Sequence, residues 1–229
     1  MNRLILLLST LLSLTRSFDL IPAVFTPFTN GGQGEVDLSK VSAYTSFLKN
    51  VQNITTVFVG GTNGESLSLT TAERKELLKA WVDEPGMKVI AHVGAESIVD
   101  AIALASHALS LGVSSVAAMP PTFFRPSTVS ELVAWFKPLA AAAAPLPIKY
   151  YHIPSMTNVA LDMSEFLTLA SSEIPNFEGI KYTDTDLYTF TKCVAETEGG
   201  VKVKIEGWRD GRRAEAKRQL ELCWSEATV

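Results

Sequence analysis

The sequence predicts an α/β fold in which βα units repeat around a parallel sheet, and two patterns carry that expectation. Seven short, nearly continuous apolar runs fall at 20–26, 55–60, 88–93, 115–119, 148–153, 179–183 and 201–205. Unbroken runs of this kind belong to strands covered on both faces. Between them, apolar residues recur every three or four positions at 38–48, 71–82, 99–111, 129–144, 163–170 and 187–195, the spacing of one helical face. Strand follows strand at about 25–35 residues, the size of a βα unit. That repetition fits either an open doubly wound sheet or a (β/α)8 barrel. A full barrel takes about 250 residues, so seven strands and no eighth leave a barrel incomplete by at least one unit.

In functional terms the carboxyl ends of the strands matter most, because sites in such folds form there. The first run ends in Thr26-Pro27-Phe28. The second runs into Gly60-Gly61-Thr62-Asn63-Gly64-Glu65, where glycines let the backbone approach a ligand and the Thr62 hydroxyl, the Asn63 amide and free N–H groups can hold a carboxylate. A tight βα turn would need the same glycines. The segment has neither the Gly-x-Gly-x-x-Gly spacing of a dinucleotide site nor the Gly-Lys-Ser/Thr ending of a P-loop. Thr70 with Glu73, Thr128 with Glu131 and Asp162 with Glu165 have capping-box spacing and mark three helix starts. The fourth run leads into Pro120-Pro121-Thr122-Phe123-Phe124-Arg125-Pro126, a stiff aromatic loop. The fifth ends Tyr150-Tyr151-His152-Ile153-Pro154, and the sixth reads Gly179-Ile180-Lys181-Tyr182-Thr183-Asp184.

Lys181 stands inside a strand run, where alternation turns every second residue inward. An inward lysine is desolvated, which depresses its pKa and leaves a nucleophilic amine at neutral pH. Tyr151, one strand earlier, can reach it and relay a proton as a phenol. Lys149, Lys202 and Lys204 also lie in strand runs and are expected to carry their heads into solvent past the strand ends.

Composition narrows the function classes. The chain has 229 residues, 47% hydrophobic and 19% charged, with 20 Lys+Arg against 24 Asp+Glu and a formal net charge of −4. That apolar content excludes a disordered polyelectrolyte, and the acidic balance argues against a nucleic-acid partner. Cys193 and Cys223 are too few for a disulfide scaffold and lack metal-ligand spacing, and His92, His107 and His152 are scattered, so metal-independent chemistry is expected. At the start, Asn2 and Arg3 precede a leucine-rich run over 4–14, which reads as a signal peptide or an extra N-terminal helix and is too short to span a membrane. Asn53-Ile54-Thr55 is a glycosylation acceptor that matters only in a secreted chain. No Gly/Ser linker divides the rest, so one domain is expected over 18–203, after a signal-like or extra segment at 1–17.

Taken together, Ala23-Val24-Phe25-Thr26-Pro27-Phe28, Gly61-Thr62-Asn63-Gly64-Glu65, Tyr151-His152-Ile153-Pro154 and Gly179-Ile180-Lys181-Tyr182-Thr183-Asp184 resemble the N-acetylneuraminate lyase / dihydrodipicolinate synthase family. These are pyruvate-dependent class I aldolases on a TIM barrel. Met156 and Thr157 stand where dihydrodipicolinate synthases usually carry an arginine for a second carboxylate, and Thr183-Asp184-Thr185-Asp186-Leu187 is similar to the sialic acid lyase branch. The resemblance implies that Lys181 forms an imine with the C2 keto group of a sugar acid and that Tyr151 relays the proton from the C4 hydroxyl. The C3–C4 bond then breaks to give N-acetylmannosamine and pyruvate. It further implies that Thr62 and Asn63 bind the carboxylate, that Thr183 touches the sugar, and that the enzyme is a homotetramer without metal or cofactor. The family is cytoplasmic, and the absence of paired cysteines agrees; secretion is the alternative raised by the first 14 residues.

Two departures accompany the resemblance. Asn63 stands where the family has a second hydroxyl residue, and an amide can donate to a carboxylate but cannot join a hydroxyl–tyrosine relay. After Val203 the chain departs further. Gly207 and Asp210 only loosely match the family's Gly-x-Asp-Glu, its Gly-Ser-Thr-Tyr strand-eight motif is absent, and five of the 20 basic residues fall between Arg209 and Arg218. The stretch 204–229 is therefore expected to be a divergent tail. An unclosed barrel exposes strand edges, which an amphipathic helix through Trp208, Ala216, Leu220 and Trp224 would partly cover. The alternatives to a sialic acid lyase are a related 2-keto acid aldolase and an inactive chain that misfolds or joins other subunits.

Overall fold

Six strands form one parallel sheet in which spatial order follows chain order: β1 (Thr56–Val59), β2 (Lys88–His92), β3 (Ser115–Ala118), β4 (Ile148–His152), β5 (Phe177–Tyr182) and β6 (Lys204–Gly207). This computed structural model describes residues 20–29, 34–198 and 204–207. Helices α1 (Val41–Asn50), α2 (Thr71–Val82), α3 (Ile98–Leu111), α4 (Val129–Ala143), the single turn α5 (Pro154–Thr157), α6 (Met163–Glu173) and α7 (Leu187–Glu198) lead up to or link these strands. A doubly wound sheet reverses its strand order at a switch point. The unbroken order β1 to β6 has no such reversal, so helices cover one face and the other turns on itself as a barrel wall.

Distances across the sheet measure the curl. In a flat sheet four strand intervals would put β5 about 19 Å from β1. Instead the Nζ of Lys181 on β5 lies 5.3 Å from the Phe58 ring on β1. Strand alternation then divides the core in two. Outward residues such as Val57, Val116, Ile148 and Tyr150 pack under helix residues Leu77, Leu104, Phe136 and Phe166. Inward residues Phe58, Ile90, Ala117, Met119, Tyr151 and Ile153 form a separate cluster joined by Ile21 and Ala23.

A bulge on β5 decides where Lys181 points. Ile148 pairs with Phe177 but Lys149 pairs with Gly179, so Glu178 is the extra residue. Phe177, Ile180 and Tyr182 all belong to the outer core. Simple alternation counted from Phe177 would therefore have put Lys181 outside; the extra residue shifts the parity and turns it inward, opposite Tyr151.

The helix starts follow their sequence signals. Thr70 and Glu73 exchange both bonds of a capping box: Glu73 N–H donates to Thr70 Oγ1 at 3.2 Å and Thr70 N–H to the Glu73 carboxylate at 2.8 Å. Thr128 accepts from Glu131 N–H at 3.1 Å, while the Glu131 carboxylate takes Ser127 N–H at 2.7 Å. Asp162 accepts from the N–H groups of Ser164 and Glu165. No helix among the described residues is long and apolar enough to cross a membrane.

Three expectations change. The run at 20–26 contributes only one parallel bridge, Ala23 with Phe58, because Pro22 and Pro27 have no N–H to donate; Phe58 N–H donates to Pro22 O and Val24 N–H to Phe58 O. The last strand is Lys204–Gly207; 201–203 lie outside the described residues, as do the segment at 1–17 and the rest of the expected tail. Lys149 does not reach solvent. It points into the barrel, 3% exposed, with Nζ 2.6 Å from Glu178 and 3.2 Å from Ser115 Oγ. The bulge that sets Lys181 inward is thus also the one that brings Glu178 to Lys149.

Removing one member of a buried ion pair strands the other. Lys149→Met is expected to destabilise the chain by about 3 kcal/mol, and Lys149→Met/Glu178→Met to recover most of that loss, as read from urea unfolding midpoints.

Candidate active site

The loop after β1 builds one wall of the site. Gly60 has φ +70°, and a Cβ on Gly61 would lie 2.4 Å from the Phe58 ring; these two positions need glycine for the chain to turn tightly over that ring. The turn aims Thr62 inward, with Oγ1 3.1 Å from the hydroxyl of Tyr151. It is tied to the first segment by Thr26, whose hydroxyl donates to Gly64 O at 2.6 Å. The Asn63 amide donates to Ala23 O at 3.4 Å, so it serves the same tie and stands apart from the Thr62–Tyr151 pair.

β4 and β5 build the opposite wall. Tyr151 and Lys181 are register partners, and the Lys181 Nζ lies 3.6 Å from the centroid of the Tyr151 ring. The amine also donates to Thr183 Oγ1 at 3.1 Å. Burial raises the phenol's pKa above its usual 10, while hydrogen bonds with Thr62 and Thr183 hold it down. The Thr183 hydroxyl thus accepts from the amine. Lys181 itself is half-buried, open enough to meet a ligand from the strand ends. Its neighbour in sequence type, Tyr150, faces the outer core, packed on Phe136 and Phe166, and burial pushes its pKa far up.

Below these groups lies a buried polar cluster that the scattered histidines did not suggest. His92 is 5% exposed, and its ring meets Tyr151 and Phe58 edge-on at 5.9 and 6.1 Å. Met119 N–H donates to its Nε2 at 3.3 Å. Burial, then Arg74, pushes its pKa well below 6.5, and Lys181 adds to that push; the ring is neutral at pH 7. Arg74 of α2 donates to His92 O and Gly94 O, each at 2.9 Å, and burial lowers its pKa to about 10. Both residues had sequence signals. His92 shares parity with inward Ile90 on β2, and Arg74 falls on the buried stripe with Leu77, Leu78 and Trp81.

Among the described residues no group of three or more His, Cys, Asp or Glu is gathered as a metal site. Burial pushes the Cys193 thiol up to about 12, which leaves it a poor nucleophile. What the arrangement offers is two contacts on one phenol: the Thr62 hydroxyl at its oxygen, and the Lys181 amine, held by Thr183, over its ring. A primary amine over the ring of a phenol and open to the strand ends suits condensation with a carbonyl.

Comparison with known proteins points the same way. Residues 16–204 match the model of the Dihydrodipicolinate synthetase family. The N-acetylneuraminate lyase of Danio rerio is 42% identical over 182 residues, covering 78% of this chain and 59% of that protein. The N-acetylneuraminate lyase of Homo sapiens is 40% identical over 178 residues, covering 76% and 55%. The chain thus spans somewhat under two thirds of the length of these relatives. Among solved structures, N-acetylneuraminate lyase from Aliivibrio salmonicida aligns with TM-score 0.82 and 33% identity over 90% of this chain and 67% of that one. The Proteus mirabilis lyase gives 0.78 and 34% over 85% and 64%. A parallel barrel wall in chain order, an inward lysine opposite a tyrosine, and a match across most of its length together mean that this chain belongs to the Dihydrodipicolinate synthetase family.

Proposed function

We propose that the chain is an aldolase of the sialic acid lyase type, cleaving N-acetylneuraminate to N-acetylmannosamine and pyruvate through an imine on Lys181. One observation carries the reading: the Lys181 amine lies 3.6 Å from the Tyr151 ring and donates to the Thr183 hydroxyl.

The chemistry follows from those groups. The amine nitrogen attacks C2 of the open-chain 2-keto acid, and the carbinolamine loses water as the phenol donates its proton to the departing oxygen. Burial makes the resulting phenolate a strong base, while the Thr62 and Thr183 hydroxyls keep it attainable. The phenolate then takes the C4 hydroxyl proton, the C3–C4 bond breaks, and its electron pair flows into the imine to form an enamine. Protonation at C3 and hydrolysis release pyruvate and restore the amine. Thr62 and the N–H groups of its turn hold the carboxylate, with Asn63 bracing the turn from behind and Thr183 within reach of the sugar. No external cofactor is needed, because the imine is itself the electron sink.

The assembly and location that accompany this reading are a homotetramer in the cytoplasm, by resemblance to the family; the leucine-rich start supports secretion instead. A second reading, a sister aldolase for another 2-keto acid, is favoured by the Asn63 amide, which bonds to Ala23 O rather than joining the hydroxyl relay.

Incubation with pyruvate and borohydride, followed by peptide mass mapping, is expected to give a reduced adduct on Lys181 and none in Lys181→Met. An adduct on another lysine, or no adduct, contradicts the proposal. Tyr151→Phe is expected to retain the adduct yet lower sialic acid cleavage by about a hundred- to ten-thousandfold, measured as pyruvate release. Pyruvate adduct formation without any sialic acid cleavage in the unmodified chain would select the sister aldolase.

A further inference from the structure

His152 is buried on the outer side of the barrel wall, 2% exposed, and nothing in the chemistry above uses it. Its position is nevertheless tied to the site. The residue follows Tyr151, so one dipeptide sends a phenol inward and an imidazole outward. Both meet again at the turn after β5. The main-chain oxygen of His152 accepts from Thr183 N–H at 2.8 Å. Its Nε2 lies 3.5 Å from Asp184 Oδ2, and its ring packs on Tyr182 with centroids 5.0 Å apart. The far end of the same turn is held too: Tyr182 donates its hydroxyl proton to Asp186 O at 2.8 Å, and Asp186 caps α7 through Tyr188 N–H and Thr189 N–H.

We propose that His152 and Asp184 form a clamp that positions Thr183, so that its hydroxyl receives the Lys181 amine and holds it over the Tyr151 ring. The orientation of the imidazole follows from its partners. Burial lowers the His152 pKa to about 4 although Asp184 opposes the shift, so the ring is neutral at pH 7, and a proton on Nε2 faces the Asp184 carboxylate across the 3.5 Å contact. Nδ1 is then a bare acceptor, and it has no hydrogen-bond partner among the described residues. A buried imidazole with one nitrogen unmatched is costly, and an apolar residue would fill the space at lower cost. The polar contact with Asp184 is what the histidine adds. Without it the turn is still tethered at Thr183 N–H but free to rotate at Asp184, and the Thr183 hydroxyl loses its fixed direction. His152 is a positioning residue on this account, and the inference rests on Lys181 being the imine-forming amine.

Exchange of the pyruvate methyl hydrogens in deuterated water tests it without needing the sugar. The amine condenses with the carbonyl, water leaves, a C3 proton passes to the base, and the enamine takes up a deuteron before hydrolysis. Asp184→Ala and His152→Leu are expected to slow exchange at saturating pyruvate by about ten- to a hundredfold, with the half-saturating concentration changed by less than about threefold. Asp184→Asn keeps an acceptor oxygen for Nε2–H and is expected to stay within about threefold of the parent rate. His152→Leu alters a buried site, so Asp184→Ala, on the partly exposed turn, carries the test if that variant does not fold. Exchange at the parent rate in Asp184→Ala, or equal losses in Asp184→Asn and Asp184→Ala, overturns the clamp. A parent chain that forms no pyruvate adduct on Lys181 overturns the aldolase reading and the clamp with it.

Discussion

The closure of the sheet's inner face on itself is the constraint from which the site follows. Phe58, Tyr151 and His92 come from β1, β4 and β2, yet their rings meet pairwise edge-on at 5.6 to 6.1 Å. Edge-to-face contact is a favoured geometry for aromatic pairs, worth about 0.5–1.5 kcal/mol each beyond burial. The three rings make a floor, and the Lys181 amine lies over two of them. In an open sheet Thr62, at the end of β1, would be far from Tyr151 on β4, whereas Lys181 is the register partner of Tyr151 on the adjacent strand. Curvature brings the Thr62 hydroxyl to the phenol, and the register of β5 against β4 brings the amine.

That floor is supported from below by groups that core packing alone would not choose. Arg74 is a buried cation whose bonds go to main-chain oxygens of the β2 end, and Lys149 is a buried cation paired with Glu178. Such groups are expensive to desolvate, and replacement by apolar residues is often neutral or stabilising elsewhere. Here each fixes the main chain at a point the site uses. Arg74 holds the β2 end beside His92, and Glu178 is the bulge residue that turns Lys181 inward. The polar interior therefore sets backbone position at the strand ends, where a misplacement of about 1 Å can cost a hundredfold in rate.

How much of this the sequence disclosed depends on whether the signal was local. The capping pair Thr70 and Glu73, the five apolar runs from 55–60 to 179–183 and the glycine turn at Gly60-Gly61 are local, and each appears close to where the pattern put it. The inward turn of Lys181 is half local: alternation from Gly179 gives it, but alternation from Phe177 gives the opposite, and only the register against β4 chooses. Lys149 was misread because its partner, Glu178, lies 29 positions away across the bulge. His92 and Arg74 carried periodic signals, but a lone histidine and one charged residue on a helix stripe acquire meaning only when strand ends come together. The weak pairing of the run at 20–26 was legible in Pro22 and Pro27, which a reading of apolar content passes over.

The account stands or falls on the placement of one amine against one ring. Nuclear Overhauser effects between selectively labelled lysine and tyrosine side chains measure it directly. A cross-peak between the Lys181 Hε protons and the Tyr151 ring, removed by Lys181→Met and accompanied by one between Phe58 and Tyr151, is the predicted result. A Phe58–Tyr151 cross-peak without any between Lys181 and Tyr151 would mean that the barrel wall curls as described while its lysine points elsewhere, and the proposed chemistry would have no site.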